Sequence, residues 1–445
     1  AGPGGIESEA VEAALDEGIA RGEAQRILSL GDPEAMATPT LSRRYDIAPA
    51  LHGGLETASA TALYRDGRLQ LWIASQAPSA ARRAAAKALG LSERDVTLYP
   101  MAAGGSFDAR LETTHAIEAA LIARDLGRPV QLTWPRGEEF KAVPPRTPVS
   151  IALSARLDPN ADRQPIAWRA KLAMPATARE FGARLFEDRT IEAAIEGAAG
   201  EADPLACEGA VPPYAIPNVV VDHVPVTIGL PTARMRGNAA VYTGFATECF
   251  IDELAGIAQR DPLLYRLSLL GQDARAAVVL RAAARLGEWD GGVEGTAQGI
   301  AMIRMDLGQG DRVARGFIAC VAQARLGEGG VRVDRLSAVA DIGRIPNLDL
   351  ARQQIEGGLV FGLSLATGSS ATYRAGMPEP RRMAGLMLPT LEDTPDVRVD
   401  FIASEETPFD PGELSVAVAP PAIANALHAA TRLRFRRLPL LSEGL

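Results

Sequence analysis

Segments with the two-residue period of a strand and segments with the period of a helix are interleaved along this chain in no fixed order. That feature restricts its fold more than any other. Residues 59–74 read as a hairpin: ATALY, an Asp66-Gly67 turn, then LQLWIAS. Ser79 is placed to cap a helix running through Leu89, with Gly90 where a C-terminal cap belongs. VTLY (96–99) is a short strand, 113–126 a helix closed by Gly127, and VQLTW (130–134) another strand. Further helices are expected at 8–28, from Thr247 to Leu270 with a restart at Asp261-Pro262, and at 274–286, 351–366 and 421–430. Strand-like pieces lie at 216–228, 331–341 and 397–404, and the proline-containing stretch 140–165 reads as loops. A strict βαβ succession would specify a parallel sheet. Its absence points to an α+β fold, and no repeat of solenoid length is present.

The 445 residues, 47% hydrophobic and 23% charged, are enough for two or three domains with cores of their own. A net charge of -9 argues against nucleic acid as a partner, because counterion release rewards basic proteins. Arg432, Arg434, Arg436 and Arg437 are clustered, but Leu433 and Phe435 interrupt them, which reads as an alternating strand. The three cysteines, Cys207, Cys249 and Cys320, are far apart and lack CxxC spacing. An iron–sulfur cluster usually needs four thiolates, so none is expected in this chain, and no disulfide framework either. The four histidines show no HxxxH or HxH spacing, so zinc or copper ligation is not expected. No apolar run approaches the ~20 residues of a membrane span. No signal peptide is visible, but a start at AGPGG is compatible with the interior of a longer protein, and location is left open between periplasm and cytoplasm.

Three short segments are candidates for chemistry. Gly104-Gly105-Ser106-Phe107 follows a strand and precedes a helix. Glycines there would let backbone approach a ligand, and a helix start supplies free N–H groups suited to an oxyanion. The plain alternative is a tight turn with Phe107 in the core. Gln76, at a strand end before Pro78, carries an amide that can donate to a bound oxygen, or is only a polar loop residue. Glu413 lies on a Pro/Gly loop before an apolar helix. There it is either a desolvated general base or a solvated carboxylate.

Order and spacing add to this. LQLWIASQAPSAARRAAAKALGLSERDVTLYPMAAGGSFDAR resembles the strand, TQxP turn, helix and GGGFGxR loop of the xanthine dehydrogenase / aldehyde oxidase family. MRGNAAVYTGFATECFIDELAGIAQRDPLLYRLSLL resembles its arginine loop and its ESFIDELA…DPxxxR helix. QQIEGGLVFGLS resembles QIEGGxxxGLS, and PFDPGELSVAVAPPAIANALHAATRLRFRRLPL resembles the GVGEPG…APAxANAxxxATGxRxRxLP ending. The match covers most of residues 43–440 and is nearest to the molybdopterin-binding large subunit of the isoquinoline 1-oxidoreductase beta type, carboxy-terminal portion.

The resemblance implies two mixed α+β lobes of a molybdenum cofactor-binding domain facing across a deep cleft. It sets residues 1–40 as an N-terminal helix and linker, 41–230 as the first lobe and 231–445 as the second. It implies that Glu413 is the catalytic base. Gln76, Gly104, Gly105, Ser106, Phe107 and Arg236 would face a molybdenum-pterin cofactor, as the pterin or its cytosine dinucleotide, with no protein atom ligating the metal directly. The implied reaction oxidises an aldehyde or N-heteroaromatic small molecule with water as oxygen source. The implied partners are an iron–sulfur small subunit and the amino-terminal half of the large subunit, whose EMGQG loop is absent from this sequence. The Leu307-Gly308-Gln309-Gly310 string resembles that loop but stands in the wrong order, and reads as a turn. The chain departs from the family where GGGFGxR reads GGSFDAR, with Ser106 and Asp108 in place of glycines, and where GEPG reads Gly412-Glu413-Leu414-Ser415. The histidine-MEP segment has Leu55-Glu56-Thr57, and the D-x-G-x-x-x-N-P segment ends Asn347-Leu348. These departures support an alternative: a catalytically degenerate scaffold that binds no cofactor.

Overall fold

In the computed structural model, which describes residues 5–292, 297–308, 313–328 and 330–441, the interleaved segments form three main sheets with helices packed on them. The described helices are α1 (Ser8–Arg21), α2 (Pro78–Leu89), α3 (Thr114–Leu126), α4 (Arg136–Ala142), α5 (Thr177–Phe186), α6 (Ile191–Ala198), α7 (Ala240–Ile257), α8 (Pro262–Leu269), α9 (Ala274–Leu286), α10 (Leu348–Thr367) and α11 (Leu414–Thr431). The largest sheet runs, in spatial order, Gln25–Leu30, Asn218–Pro225, Pro165–Met174, Val149–Leu157, Leu41–Ile47 and Arg437–Leu438. Its pairings are parallel and antiparallel, so the α+β class holds. The second sheet is Gln298–Leu307, Ala314–Gly327, Gly330–Asp341 and Asp396–Phe401. The third, Val96–Pro100, Arg68–Ile73, Ser59–Arg65 and Val130–Thr133, packs α2 and α3 over its own small core.

Several segments differ from the sequence expectation, each for a physical reason. Residues 140–165 are not loops throughout: Val149–Leu157 is a nine-residue strand, with Val149, Ile151, Leu153, Ala155 and Leu157 all buried. The prolines that suggested a loop flank it: Pro144, Pro145 and Pro148 precede the strand, and Pro159 and Pro165 follow it. The first helix stops at Arg21, since Gly22 packs where a side chain would meet Val224, and Gln25–Leu30 then pairs with Asn218–Pro225. The first residue of α2 is Pro78 rather than a residue capped by Ser79, because proline's missing N–H costs nothing at that position. The arginines after 431 do not form the expected strand. Only Arg437–Leu438 pairs, while Arg434 reaches Asp252 at 2.7 Å and Arg436 reaches Glu253 at 2.8 Å, both on α7. Of the string expected to turn at 307–310, Leu307 ends a strand, and Gln309 and Gly310 lie outside the described residues.

The most consequential difference is α11. The sequence places a Pro/Gly loop before a helix at 421–430, but the helix begins at Leu414 and carries Pro420 and Pro421 inside. An interior proline removes a hydrogen bond and costs ~3 kcal/mol in an isolated helix. Here the helix is apolar on all sides and buried from Leu414 through Leu427, so packing decides. Its 18 residues have a mean hydropathy of 1.2, enough by length and apolarity to cross a membrane, yet 83% of it is enclosed by the fold. It lies against α7, α10 and the strands Gln298–Leu307 and Ala314–Gly327. Starting at Leu414 sets Glu413 at the helix N-terminus.

Candidate functional site

Glu413 occupies the N-cap position of α11, and its Oε2 accepts a short hydrogen bond from the Gly237 N–H, three residues before α7 begins. The carboxylate thus lies near the starts of two long helices, with its backbone donor in the turn that enters α7 and no side-chain hydrogen bond to α11. Each end carries a partial positive charge, roughly half an elementary unit, that favours an anion. Burial pushes the Glu413 carboxyl above the ordinary glutamate range. The Gly237 N–H opposes that, Asp108 adds to it, and Arg236 and Arg234 oppose it.

Arg236 comes from the same turn. Its Nε donates to the Gly412 carbonyl at 2.8 Å and its Nη2 to the Gln354 carbonyl and side chain at 3.1 and 3.2 Å. It thus ties the α7 entrance to the loop carrying Glu413 and to α10. Among the described residues no carboxylate forms an ion pair with it, and burial lowers its pKa against the pull of Glu413, Asp108 and Asp410. The backbone N–H of Arg236 donates to the Phe107 carbonyl at 3.2 Å, which brings the glycine loop to this place.

That loop is bent by its own residues. Gly105, Phe107 and Asp108 all have positive φ (99°, 54° and 79°), and Phe107 stacks on Phe361 of α10 at 4.4 Å. The helix expected to begin behind it starts only at Thr114, after a 3-10 turn at Ala109–Leu111, so α3 offers the loop no N-terminus. The glycines make room for protein: a Cβ at Gly104 would stand 2.6 Å from the Glu56 Cβ, and the Gly104 N–H donates to Glu56 Oε2 at 2.6 Å. Arg110, the motif arginine, holds the Glu56 carbonyl at 2.7 Å, and Arg136 holds the carbonyls of Gly54 and Leu55 at 2.6 and 2.7 Å. Glu139, buried between the two arginines, accepts from Arg136 at 2.6 Å and lies 3.5 Å from Arg110. The sequence reading gave none of these four residues a role.

Gln76 meets the same loop. Its amide nitrogen donates to Asp108 Oδ1 at 3.1 Å, and its amide oxygen accepts a short hydrogen bond from Ser106 Oγ. The two residues that replace glycines therefore grip both ends of the glutamine side chain. The second oxygen of Asp108, Oδ2, is buried without a hydrogen-bond partner and lies 3.8 Å from Arg234 Nε. Ser415 Oγ, at the first turn of α11 and against Gly358, is also buried and unpartnered. His52, its pKa lowered by burial, holds the Arg234 carbonyl at 2.8 Å from below.

The sequence candidates thus converge: Glu413, Arg236, Phe107, Ser106 and Gln76 are linked through direct contacts and through Asp108. Two helix N-termini, an arginine without a carboxylate partner and an unfilled serine hydroxyl form a donor set that fits an anionic group. A pterin cofactor with its phosphate and metal-oxo charge is of that kind. Gln76 would have to exchange Ser106 and Asp108 for such a group. Glu413, Gly237 and Arg234 also line a cavity of about 440 Å³, whose other walls include α7, the strand residues from Met302 to Leu307 and Phe409. The floor is set by Glu248, which accepts from Arg266 Nε at 2.8 Å, from Tyr214 at 2.6 Å and from the Met302 N–H at 3.0 Å. The sequence contained the Glu248–Arg266 pair inside the helix motif and DPxxxR, but nothing in the spacing said that they meet.

Arg236, the glycine loop and the partly buried Glu413 thus meet beside a cavity that the same carboxylate lines. Residues 19–174 and 276–395 each match the model of the molybdopterin cofactor-binding domain, together more than half of the chain, and the chain belongs to that family. It is 26% identical over 387 residues to the beta subunit of the isoquinoline 1-oxidoreductase of Brevundimonas diminuta, covering 85% of this chain and 47% of that protein. It is 27% identical over 441 residues to one subunit of the nicotinate dehydrogenase of Pseudomonas putida, covering 94% and 36%. The chain therefore spans about half, or less, of these relatives' length. In fold it matches the crystal structure of quinoline 2-oxidoreductase from Pseudomonas putida 86, with a TM-score of 0.76 at 14% identity over 98% of this chain and 80% of that one.

Proposed function

We propose that this chain is the cofactor-binding part of a molybdenum hydroxylase that oxidises an aldehyde or an N-heteroaromatic ring with water as the oxygen source. It works in an assembly with an iron–sulfur subunit and with the amino-terminal half of a large subunit. One observation carries the reading: the Glu413 carboxyl, held by the Gly237 N–H beside Arg236 and the glycine loop, lines a cavity of substrate size. Bound in that frame, the cofactor supplies two-electron redox chemistry. Its holders are Gln76, the backbone from Gly104 to Phe107, and Arg236.

The chain's own groups do the rest. In the overall reaction a C–H bond and water become C–OH, two protons and two electrons, and Glu413 Oε1 accepts one of the protons. A raised pKa makes the carboxylate a stronger base. The Gly237 N–H fixes Oε2, so the other oxygen is the one free to act. Arg236 holds the loop on which Glu413 stands and keeps positive charge beside it. The electrons require an acceptor. The three cysteines of this chain are buried at separate places, which supports placing thiolate-held clusters on a partner.

A second reading, a scaffold that binds no cofactor, is favoured by the grip of Ser106 and Asp108 on Gln76. Molybdenum measured in the complete assembly, purified with its natural neighbours, separates the two. Stoichiometric metal supports the enzyme. Metal that appears only after Ser106→Gly with Asp108→Gly supports the scaffold.

A further inference from the structure

The charges around the cavity beside Glu413 are unequal in a way that bears on what can enter it. Its volume of about 440 Å³ falls within the ~300–1,000 Å³ of small-molecule sites, and Met302, Met305 and Phe409 give it apolar walls. Most of its charged side chains are already engaged. Asp306 pairs with Arg315 at 2.8 Å and with Arg304 at 3.8 Å. Glu248 is held by Arg266. Arg234 donates to Asn238 at 2.9 Å and faces Asp108. Three carboxylates remain without an ion pair among the described residues. Glu413 accepts the Gly237 N–H. Asp410 accepts only the Gly412 N–H, at 2.9 Å, and Glu208, at the rim, has no hydrogen bond to its side chain. Partial burial raises the Glu208 pKa, Arg234 pulls it down and Asp306 pushes it up.

We propose that this cavity takes neutral or cationic aromatic rings and rejects anionic ones, and that Glu208 sets the preference. The inference rests on reading the cavity as the substrate site of Glu413. A carboxylate-bearing ring entering past the exposed Glu208 brings like charges together, and the repulsion acts within a Debye length of ~8–10 Å. A cationic ring meets an unpaired carboxylate there, and a neutral one meets the apolar walls without penalty. Glu413, which is partly buried, and the exposed Asp410 act in the same sense.

The test is binding to the full chain, with methyl NMR signals of Met302 and Met305 locating the ligand in the cavity. Three probes of similar shape are used: an isoquinoline carboxamide, the isosteric carboxylate and the N-methylisoquinolinium cation. The carboxamide and the cation are expected to bind at least tenfold tighter than the carboxylate. In Glu208→Gln, which keeps the shape, that gap is expected to shrink severalfold, mainly through a gain for the carboxylate. A carboxylate bound as tightly as the carboxamide overturns the proposal, and so does an unchanged gap in Glu208→Gln. Failure of all three probes to perturb Met302 and Met305 also overturns it. None of these results bears on whether Glu413 is the base, which is judged separately by turnover per bound molybdenum.

Discussion

Two glycines on α10 should respond to alanine with opposite signs. Gly362 faces α11: a Cβ there would lie 2.6 Å from the Val416 carbonyl oxygen and 2.9 Å from the Ala419 Cβ. Ordinary contacts between such atoms are ~3.5 Å or more, so the helices would have to separate by roughly an ångström. The carbonyl belongs to a buried helix and cannot rotate aside. Overpacking of this kind costs ~1–3 kcal/mol, while replacing glycine by alanine in a helix recovers ~1 kcal/mol. Gly357, one turn and a residue earlier, is exposed, and its nearest neighbour would be Arg236 Nη1 at 4.0 Å. Only the propensity gain applies there. The difference between the two variants cancels propensity and leaves the packing cost, ~1–3 kcal/mol. Urea denaturation of the two variants, followed by far-ultraviolet circular dichroism, reads it directly. Because Glu413 precedes Val416 by three residues, Gly362→Ala should also lower turnover of the loaded assembly, and Gly357→Ala should not. If both alanine variants have the same stability within ~0.3 kcal/mol, the close approach of α10 and α11 does not explain the glycine.

Arg266→Met leaves Glu248 buried without its counterion and should cost ~3–5 kcal/mol, with part of the loss recovered by adding Glu248→Gln; a midpoint shift below ~1 kcal/mol contradicts the pairing. In the loaded assembly Asp108→Asn removes a charge that raises the Glu413 pKa, so the acid limb of kcat/KM should move to lower pH. The sign follows because a base must be deprotonated: activity is lost as pH falls through the pKa, and lowering that pKa extends activity downward. An unchanged limb, or one moved upward, shows that Asp108 does not act on Glu413.

The residues that converge on the site could be named from the sequence because each sits in a short motif whose order along the chain is distinctive. What holds them could not. The grip of Ser106 and Asp108 on Gln76 spans about thirty positions and depends on side-chain placement, so the string GGSFDAR reveals the altered residues but not their partner. Gly358 and Gly362 are unfavourable in an isolated helix, and only the packing of α11 against them gives them a role. Glu248 and Arg266 were visible as motif letters, but their contact requires the turn between α7 and α8. Strands were legible where one face is buried, as at 59–74. They were not legible in Gln298–Leu307 and Ala314–Gly327, whose burial on both faces erases the alternation. The start of α11 was placed seven residues late because proline is a strong local signal, here overridden by a fully buried environment.

The account stands most directly on Glu413, and the measurement that tests it is turnover per bound molybdenum in the complete assembly carrying Glu413→Gln. Glutamine keeps the shape and can still accept from the Gly237 N–H, but it cannot take the proton. Loss of a general base costs at least ~100-fold, and that loss is expected with molybdenum content unchanged. Gln76→Ala, which removes only a hydrogen bond, should lose less. Near-normal turnover in Glu413→Gln with full molybdenum would contradict the assignment of the base.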